Sequence, residues 1–283
     1  MRYVIGCGRM AAVGIMILVI LLICVVLFPL LGREGRGRCV RRISAMLMSI
    51  MGVRMTVKGK VPVPASADCG LNRDGPGYLV CSNHVSFIDI FILDAVLPCR
   101  FVAKKEIASW PVFGLIARSV GTLFIDRSRK RAVLEISDAM ACAIKEGTNV
   151  LFFPEGTTGN GLELLPFHPN LFEAAVRSEA AILPITLQYT LDGKPNGLAS
   201  YAGNISLFTV LKRILFTPGL GVDVTVLAPI EVNGKTRHVL GLEASSLMSD
   251  ALGVPDPTAE REEARRRRLQ AADESKGEAG KAA

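Results

Sequence analysis

A histidine and an aspartate stand five positions apart, at His84 and Asp89. An apolar, β-prone run, Tyr78-Leu-Val-Cys81, delivers a polar turn, Ser82-Asn83-His84, and an apolar segment over residues 87–97 follows with Asp89 inside it. On a continuous helix a separation of five puts two side chains on different faces, because helical neighbours lie three or four apart. The two converge only if His84 sits in the turn before a helix and Asp89 in its first turn. Ser86-x-x-Asp89 fits such a helix start. A neutral imidazole held at a strand-to-helix turn, its tautomer fixed by a carboxylate, is a general base. By spacing alone Asp89 is equally a helix-cap acid and His84 a loop histidine, so the rest of the chain has to decide.

The elements that would position this pair alternate between strand and helix. Residues 54–61 read as a short strand and 62–77 as a loop rich in Pro, Gly and Asp. Beyond the histidine turn, 100–106 reads as a strand, 115–120 as a short helix and 121–127 as a strand. Residues 130–146 carry Val133, Ile136, Met140 and Ile144 at helical spacing and end at Gly147. Residues 149–156 read as a buried strand running into a turn, 171–177 as a helix, 181–190 as a strand, 207–216 as a helix and 222–227 as a late strand. This alternation, with near-continuous apolar strands, predicts an α/β domain: a largely parallel mixed sheet flanked by helices. Functional loops in such folds follow the carboxyl ends of strands. His84, Arg127, Glu155 and the segment after Pro184 all have that placement.

Composition sets the frame. The 283 residues are 50% hydrophobic and 21% charged, with a net charge of +7, which favours anionic partners. Seven cysteines without a Cys-x-x-Cys spacing give no support for zinc or redox motifs and suit a reducing compartment. One Trp and four Tyr offer no stacking platform for nucleic acid. Residues 1–9 form a short basic N-terminus. Residues 10–31 carry no charge and would reach about 33 Å as a helix, enough to span a hydrocarbon core. No small-x-small cleavage site follows, so a retained N-terminal membrane helix is expected, spanning or re-entrant. Arg33, Arg36, Arg38, Arg41 and Arg42 then open a basic, amphipathic, membrane-proximal segment (32–56) and place the following domain (57–254) on the cytoplasmic face of the cell membrane. Residues 255–283 balance acids against bases with little apolar content and read as a charged, disordered tail.

Four blocks, in order, resemble the glycerolipid acyltransferases typified by bacterial 1-acyl-glycerol-3-phosphate acyltransferase: Asn83-His84-Val-Ser-Phe-Ile-Asp89, Gly121-Thr-Leu-Phe-Ile-Asp126-Arg127, Phe153-Pro154-Glu155-Gly156-Thr157-Thr158 and Leu183-Pro184-Ile185. The resemblance covers residues 57–229. It implies acyl transfer from acyl-CoA or acyl-carrier protein to a lysolipid hydroxyl, with 1-acyl-sn-glycerol-3-phosphate as acceptor and phosphatidic acid as product. His84 would take the hydroxyl proton and Asp89 would orient it. Arg127 would hold an acceptor phosphate through its guanidinium fork. Glu155, Gly156, Thr157 and Thr158 would shape the acceptor pocket, with backbone N–H groups turned to anionic oxygen. Lys104 and Lys105 are further anion candidates. No metal or bound cofactor is expected, and the membrane is the expected partner.

Two positions depart from the family pattern. Phosphate-acceptor members commonly carry Arg where this chain has Thr158, and Phe-Lys-x-Gly where it has Phe167-His168-Pro169-Asn170. Lyso-ornithine lipid, which needs less phosphate-clamping charge, is therefore the alternative acceptor. A membrane-anchored protein that binds anionic lipid or nucleic acid through 33–42 and 265–268 is the non-enzyme alternative. A serine hydrolase is disfavoured by the absence of a Gly-x-Ser-x-Gly elbow.

Overall fold

Proline and glycine punctuate the amino-terminal region. In the computed structural model, which describes residues 2–62, 69–126 and 131–281, helix α1 (Arg2–Leu22) runs on through a π-helical turn (Ile23–Leu27) into a 3-10 turn (Phe28–Leu30) containing Pro29. The chain then reverses into α2 (Arg33–Met51), which ends at Gly52 with φ 73°. The apolar helix was expected from residue 10 but begins at Arg2. Arg2 Nε donates to Phe216 O, and Arg9 donates to Leu215 O at 3.3 Å. Both carbonyls lie at the end of a later helix, where a guanidinium is favoured. Val13, Met16, Ile20, Cys24 and Phe28 face the core, whereas Ile15, Leu18, Leu22, Val25 and Val26 face outward. This run is long and apolar enough to cross a membrane, yet one stripe of it lies along the domain.

The remaining elements are β1 (Arg54–Lys58), β2 (Leu79–Ser82), α3 (Asp89–Val96), β3 (Arg100–Lys104), α4 (Phe113–Ser119), β4 (Leu123–Ile125), α5 (Ala132–Lys145) and β5 (Val150–Phe152). After them come α6 (Glu173–Ser178), β6 (Ile182–Leu191), β7 (Lys194–Pro195), α7 (Leu207–Phe216), β8 (Leu220–Val226), α8 (Arg237–Leu252) and α9 (Pro257–Lys281). The sheet order is β1-β8-β6-β2-β5-β3-β4. Strands β6, β2, β5, β3 and β4 run parallel, while β8, with β1 parallel to it, runs antiparallel to β6. The expected α/β fold is present. Helices α1, α2, α3 and α7 cover one face of the sheet, and α5, α6 and α8 cover the other. β2 lies between β5 and β6 with every residue buried, so its carboxyl end opens at the centre of the sheet.

Two further elements differ from expectation. Helix α8 was not anticipated: its buried face is Leu240, Gly241, Ala244, Ser245, Met248 and Ser249, too small and polar to read as an apolar stripe. The tail expected to be disordered is helical over Pro257–Lys281. Asp256 Oδ1 accepts the N–H groups of Thr258 (3.0 Å) and Ala259 (3.2 Å), Pro257 opens the helix, and Glu262–Arg266 pairs at 3.8 Å one turn apart. Capping and ion pairs of this kind favour a helix without an apolar stripe.

Candidate active site

The site begins where β2 runs out of ladder. The last paired residue is Ser82, opposite Ile185. One step further the Asn83 side chain takes over: Oδ1 accepts the Leu187 N–H at 2.8 Å and Nδ2 donates to Leu187 O at 2.9 Å. The turn is thereby fixed to β6 by a side chain that mimics a strand.

His84 is held at both main-chain groups. Its N–H donates to Glu155 Oε1 at 2.7 Å, and its carbonyl accepts the Gly159 N–H at 2.7 Å. Its ring stacks on Phe153 with centroids 3.8 Å apart and planes 8° from parallel. The side chain keeps 20% exposure while that of Asp89 has none, so an edge of the imidazole remains open to a substrate.

Asp89 opens α3, as the spacing required. His84 Nδ1 lies 2.9 Å from Asp89 Oδ2, and the same oxygen accepts the N–H groups of Val85 (2.7 Å) and Ser86 (2.9 Å). Its other oxygen, Oδ1, accepts the Tyr189 hydroxyl at 2.5 Å. With Nδ1–H donated to the carboxylate, Nε2 carries the lone pair. Only half of the expected capping pattern forms: Ser86 contributes its N–H and not its hydroxyl.

The third block serves the first. The carboxyl end of β5 leads to Glu155, whose Oε2 also accepts the Leu165 N–H at 3.2 Å. Glu155 was expected to line the acceptor pocket; it is 4% exposed, and both its oxygens are taken up by backbone. Burial pushes its carboxyl up to about 8, against the His84 and Leu165 N–H groups that hold it down. The Gly156 N–H, expected to face anionic oxygen, closes the turn onto Phe153 O at 3.1 Å, in a backbone conformation (φ 72°) that glycine adopts without strain. Thr158 Oγ1 donates to Tyr201 O at 2.7 Å, and Thr157 is exposed. Arg127, the expected phosphate clamp, lies outside the described residues; β4 leads towards it through Asp126, which pairs with Lys105 at 2.6 Å. Lys104 is exposed at the end of β3 and has no partner among the described residues. Cys81, close to the base in sequence, is fully buried in β2, and burial pushes its thiol well above the ordinary range, unlike that of an activated nucleophile.

Phe153 and Tyr189 escaped the sequence reading. Phe153 stood inside a quoted block but read as strand core. Tyr189 sits in a buried strand, where the only available signal was that a buried tyrosine hydroxyl needs a partner. Beside the site, Phe101 packs 6.4 Å from Phe153 and borders an apolar cavity of about 190 Å³. Phe87, Ile90 and Phe91 of the α3 region, Ile20 of α1 and Ile116 of α4 also line it.

Comparison with known proteins bears on this geometry. A family model described as Acyltransferase matches residues 54–188. A 1-acyl-sn-glycerol-3-phosphate acyltransferase from Neisseria gonorrhoeae is 41% identical over 56% of this chain and 65% of its own length. A lyso-ornithine lipid O-acyltransferase from Pseudomonas aeruginosa is 37% identical over 62% of this chain and 69% of its own, and one from Rhizobium meliloti is 30% identical over 87% and 83%. The chain thus spans just under two thirds of the Neisseria relative. The crystal structure of a 1-acyl-sn-glycerophosphate acyltransferase from Thermotoga maritima superposes with a TM-score of 0.64 over 89% of this chain and 96% of that one, at 16% identity, which establishes a shared fold.

Proposed function

This chain belongs to the acyltransferase family, and from that premise we propose that it moves a fatty acyl group from a thioester donor, acyl-CoA or acyl-carrier protein, to the free hydroxyl of a lysolipid. The observation that carries the reading is the His84–Asp89 pair, 2.9 Å apart at the carboxyl end of the central strand, with the far edge of the imidazole open. An alcohol is a weak nucleophile. His84 Nε2 removes its proton as the oxygen attacks the thioester carbonyl, and Asp89 stabilises the imidazolium that forms. The tetrahedral intermediate collapses, the C–S bond breaks, and the thiolate takes the proton back from His84. Binding both substrates together supplies the proximity, so no acyl-enzyme is needed.

The acceptor we assign is 1-acyl-sn-glycerol-3-phosphate, with phosphatidic acid as product. Support comes from the Neisseria relative named for that activity. Arg127 is assigned to the acceptor phosphate, and Lys104, exposed at the end of β3, is assigned to assist it. Thr157 and Thr158 would border the acceptor, while Glu155 acts through the backbone of His84. The apolar cavity suits the acyl chain, since it is lined by Phe101, whose ring packs against Phe153 beside His84, and its wall is mostly aliphatic and aromatic. The outward apolar stripe of α1 and the exposed Trp110, Phe113 and Leu115 of the α4 region would lie in the membrane. The basic segment from Arg33 places the domain on the cytoplasmic face in this reading.

Lyso-ornithine lipid is the second reading. Thr158 replaces the family's arginine and spends its hydroxyl on Tyr201 O, and the Rhizobium relative, named for that acceptor, aligns over most of this chain. Purified protein in mixed micelles, offered each acceptor with each donor, tests both readings. Turnover of lysophosphatidate that is lost in His84→Ala supports the first. Turnover of the ornithine lipid alone replaces it with the second. Activity retained by a folded His84→Ala protein overturns the mechanism.

A further inference from the structure

Away from the catalytic turn, a second cleft opens at the amino ends of the parallel strands. It has a volume of about 330 Å³ and is lined by Arg33, Arg36, Arg100 and Arg118, with no acidic residue in its wall among the described residues. These arginines come from three separate parts of the chain: α2, the first residue of β3, and α4. His84 and Glu155, by contrast, follow the carboxyl ends of β2 and β5.

Three of the guanidiniums are positioned without being neutralised. Arg36 Nε donates to Phe28 O at 2.8 Å and Leu31 O at 3.0 Å, closing the turn between α1 and α2. Arg100 Nε donates to Gly121 O at 2.7 Å, and Arg118 donates to Ala108 O. Each bond engages a neutral carbonyl and leaves other N–H groups of the fork unspent. Among the described residues none of these three pairs with a carboxylate; Arg33, at the rim, pairs with Glu146 at 3.0 Å. Gly121, at φ 79°, lets Arg100 close on its carbonyl, since a Cβ there would lie 2.9 Å from Arg100 Nε. Three uncompensated guanidiniums around one concavity make a site for a group with several anionic oxygens.

The surroundings indicate where that group comes from. The exposed Leu22, Val25, Val26 and Leu30 precede Arg33 and Arg36, and the exposed Phe113 and Leu115 share α4 with Arg118. Arginines rimming an exposed apolar surface sit at the depth of lipid headgroups. We propose that this cleft is a phosphate-binding site, separate from the acyl-transfer centre, that takes the headgroup phosphate of an anionic membrane lipid and holds the domain to the bilayer surface. The site does not depend on the acyl-transfer reading.

The test measures binding of the full chain to phosphatidylcholine vesicles with and without phosphatidylglycerol, alongside melting with inorganic phosphate. The wild type should bind the anionic vesicles about tenfold or more tightly than Arg100→Gln/Arg118→Gln, with a gain that fades as salt rises. Both should bind neutral vesicles equally. Arg100→Lys/Arg118→Lys, which keeps the charge, should recover part of the gain and serves if the Gln pair does not fold. A phosphate-dependent rise in melting temperature that the Gln pair loses, with unchanged vesicle binding, would keep the phosphate site and assign it to a soluble phosphate. Equal binding of anionic vesicles by wild type and both variants, with no effect of phosphate on melting, overturns the proposal.

Discussion

The main-chain N–H of His84 donates to Glu155 Oε1 at 2.7 Å, so a buried carboxyl group from the third motif holds the backbone of the first and leaves the imidazole ring out of that bond. The two residues lie 71 positions apart. Their division of labour separates the effects of substitutions here into chemistry, orientation and support.

Replacing His84, the proposed base, isolates the chemistry. His84→Ala should lower kcat by about 10²–10⁴, the range for a positioned general base, with little change in acceptor KM. Steady-state kinetics on a variant with an unchanged far-ultraviolet spectrum checks it, and a loss confined to KM would contradict the role.

Orientation of His84 is the role proposed for Asp89. Asp89→Asn presents an amide where His84 Nδ1, two backbone N–H groups and the Tyr189 hydroxyl all approach. Part of that set must then face a donor. Activity should fall at least about 10²-fold, and stability by about 1–3 kcal/mol for the partner left unsatisfied. Chemical denaturation beside kinetics measures both; a variant as stable and as active as the wild type would remove Asp89 from the site.

Tyr189 acts one step further back. Tyr189→Phe removes a single donor from Asp89 Oδ1 and keeps the ring in the core. The expected cost is about 1.5–3 kcal/mol of stability, the range for a hydrogen bond to a charged group. The drop in kcat should be well short of that in the Asp89 variant. A loss as deep as that of His84→Ala would mean that the tyrosine takes part directly.

Glu155 gives a pH signature. Burial raises its carboxyl to about 8 from an ordinary 4.5, so its stabilising contribution is complete below 4.5 and is lost as the pH rises through about 8. Glu155→Gln cannot ionise. The melting-temperature advantage of the wild type over this variant should therefore shrink between pH 5 and pH 8.5, and a constant offset across that range would refute the assignment.

Cavity volume should set the donor chain. Ala103 and Ala117 line the 190 Å³ apolar space. Ala103→Leu takes up part of it and should shift preference to shorter acyl donors, read as a change in relative kcat/KM across a chain-length series. An unchanged profile would place the acyl chain elsewhere.

Much of this was legible in the sequence because it is local. His84 and Asp89 are a turn and a helix start, and their convergence follows from chain geometry over a few residues. The alternation of apolar strands with amphipathic helices gave the α/β layering for the same reason. What escaped depends on partners distant in the chain. Tyr189 reads as strand core until its hydroxyl is seen against Asp89, 100 residues away. Phe153 also reads as core until the imidazole is laid on it. Glu155 was recognisable as important, but an acid beside a glycine turn reads as a ligand-facing group, and only its burial shows that it faces the backbone. Helix α8 was missed because its buried side is made of small and hydroxylated residues.

The clamp around the histidine also bears on how the protein forms. Asn83 is tied to Leu187, His84 to Glu155 and Gly159, and Val85 to Tyr201 through its carbonyl at 2.8 Å. These bonds join residues from 71 to more than a hundred positions apart, so their loop-closure entropy is met only when distant segments dock. Chains emerging from synthesis therefore carry the histidine long before they carry the contacts that hold it. The active centre is a late product of folding, and truncation before Tyr201 should yield a polypeptide with every motif residue present and no catalytic competence.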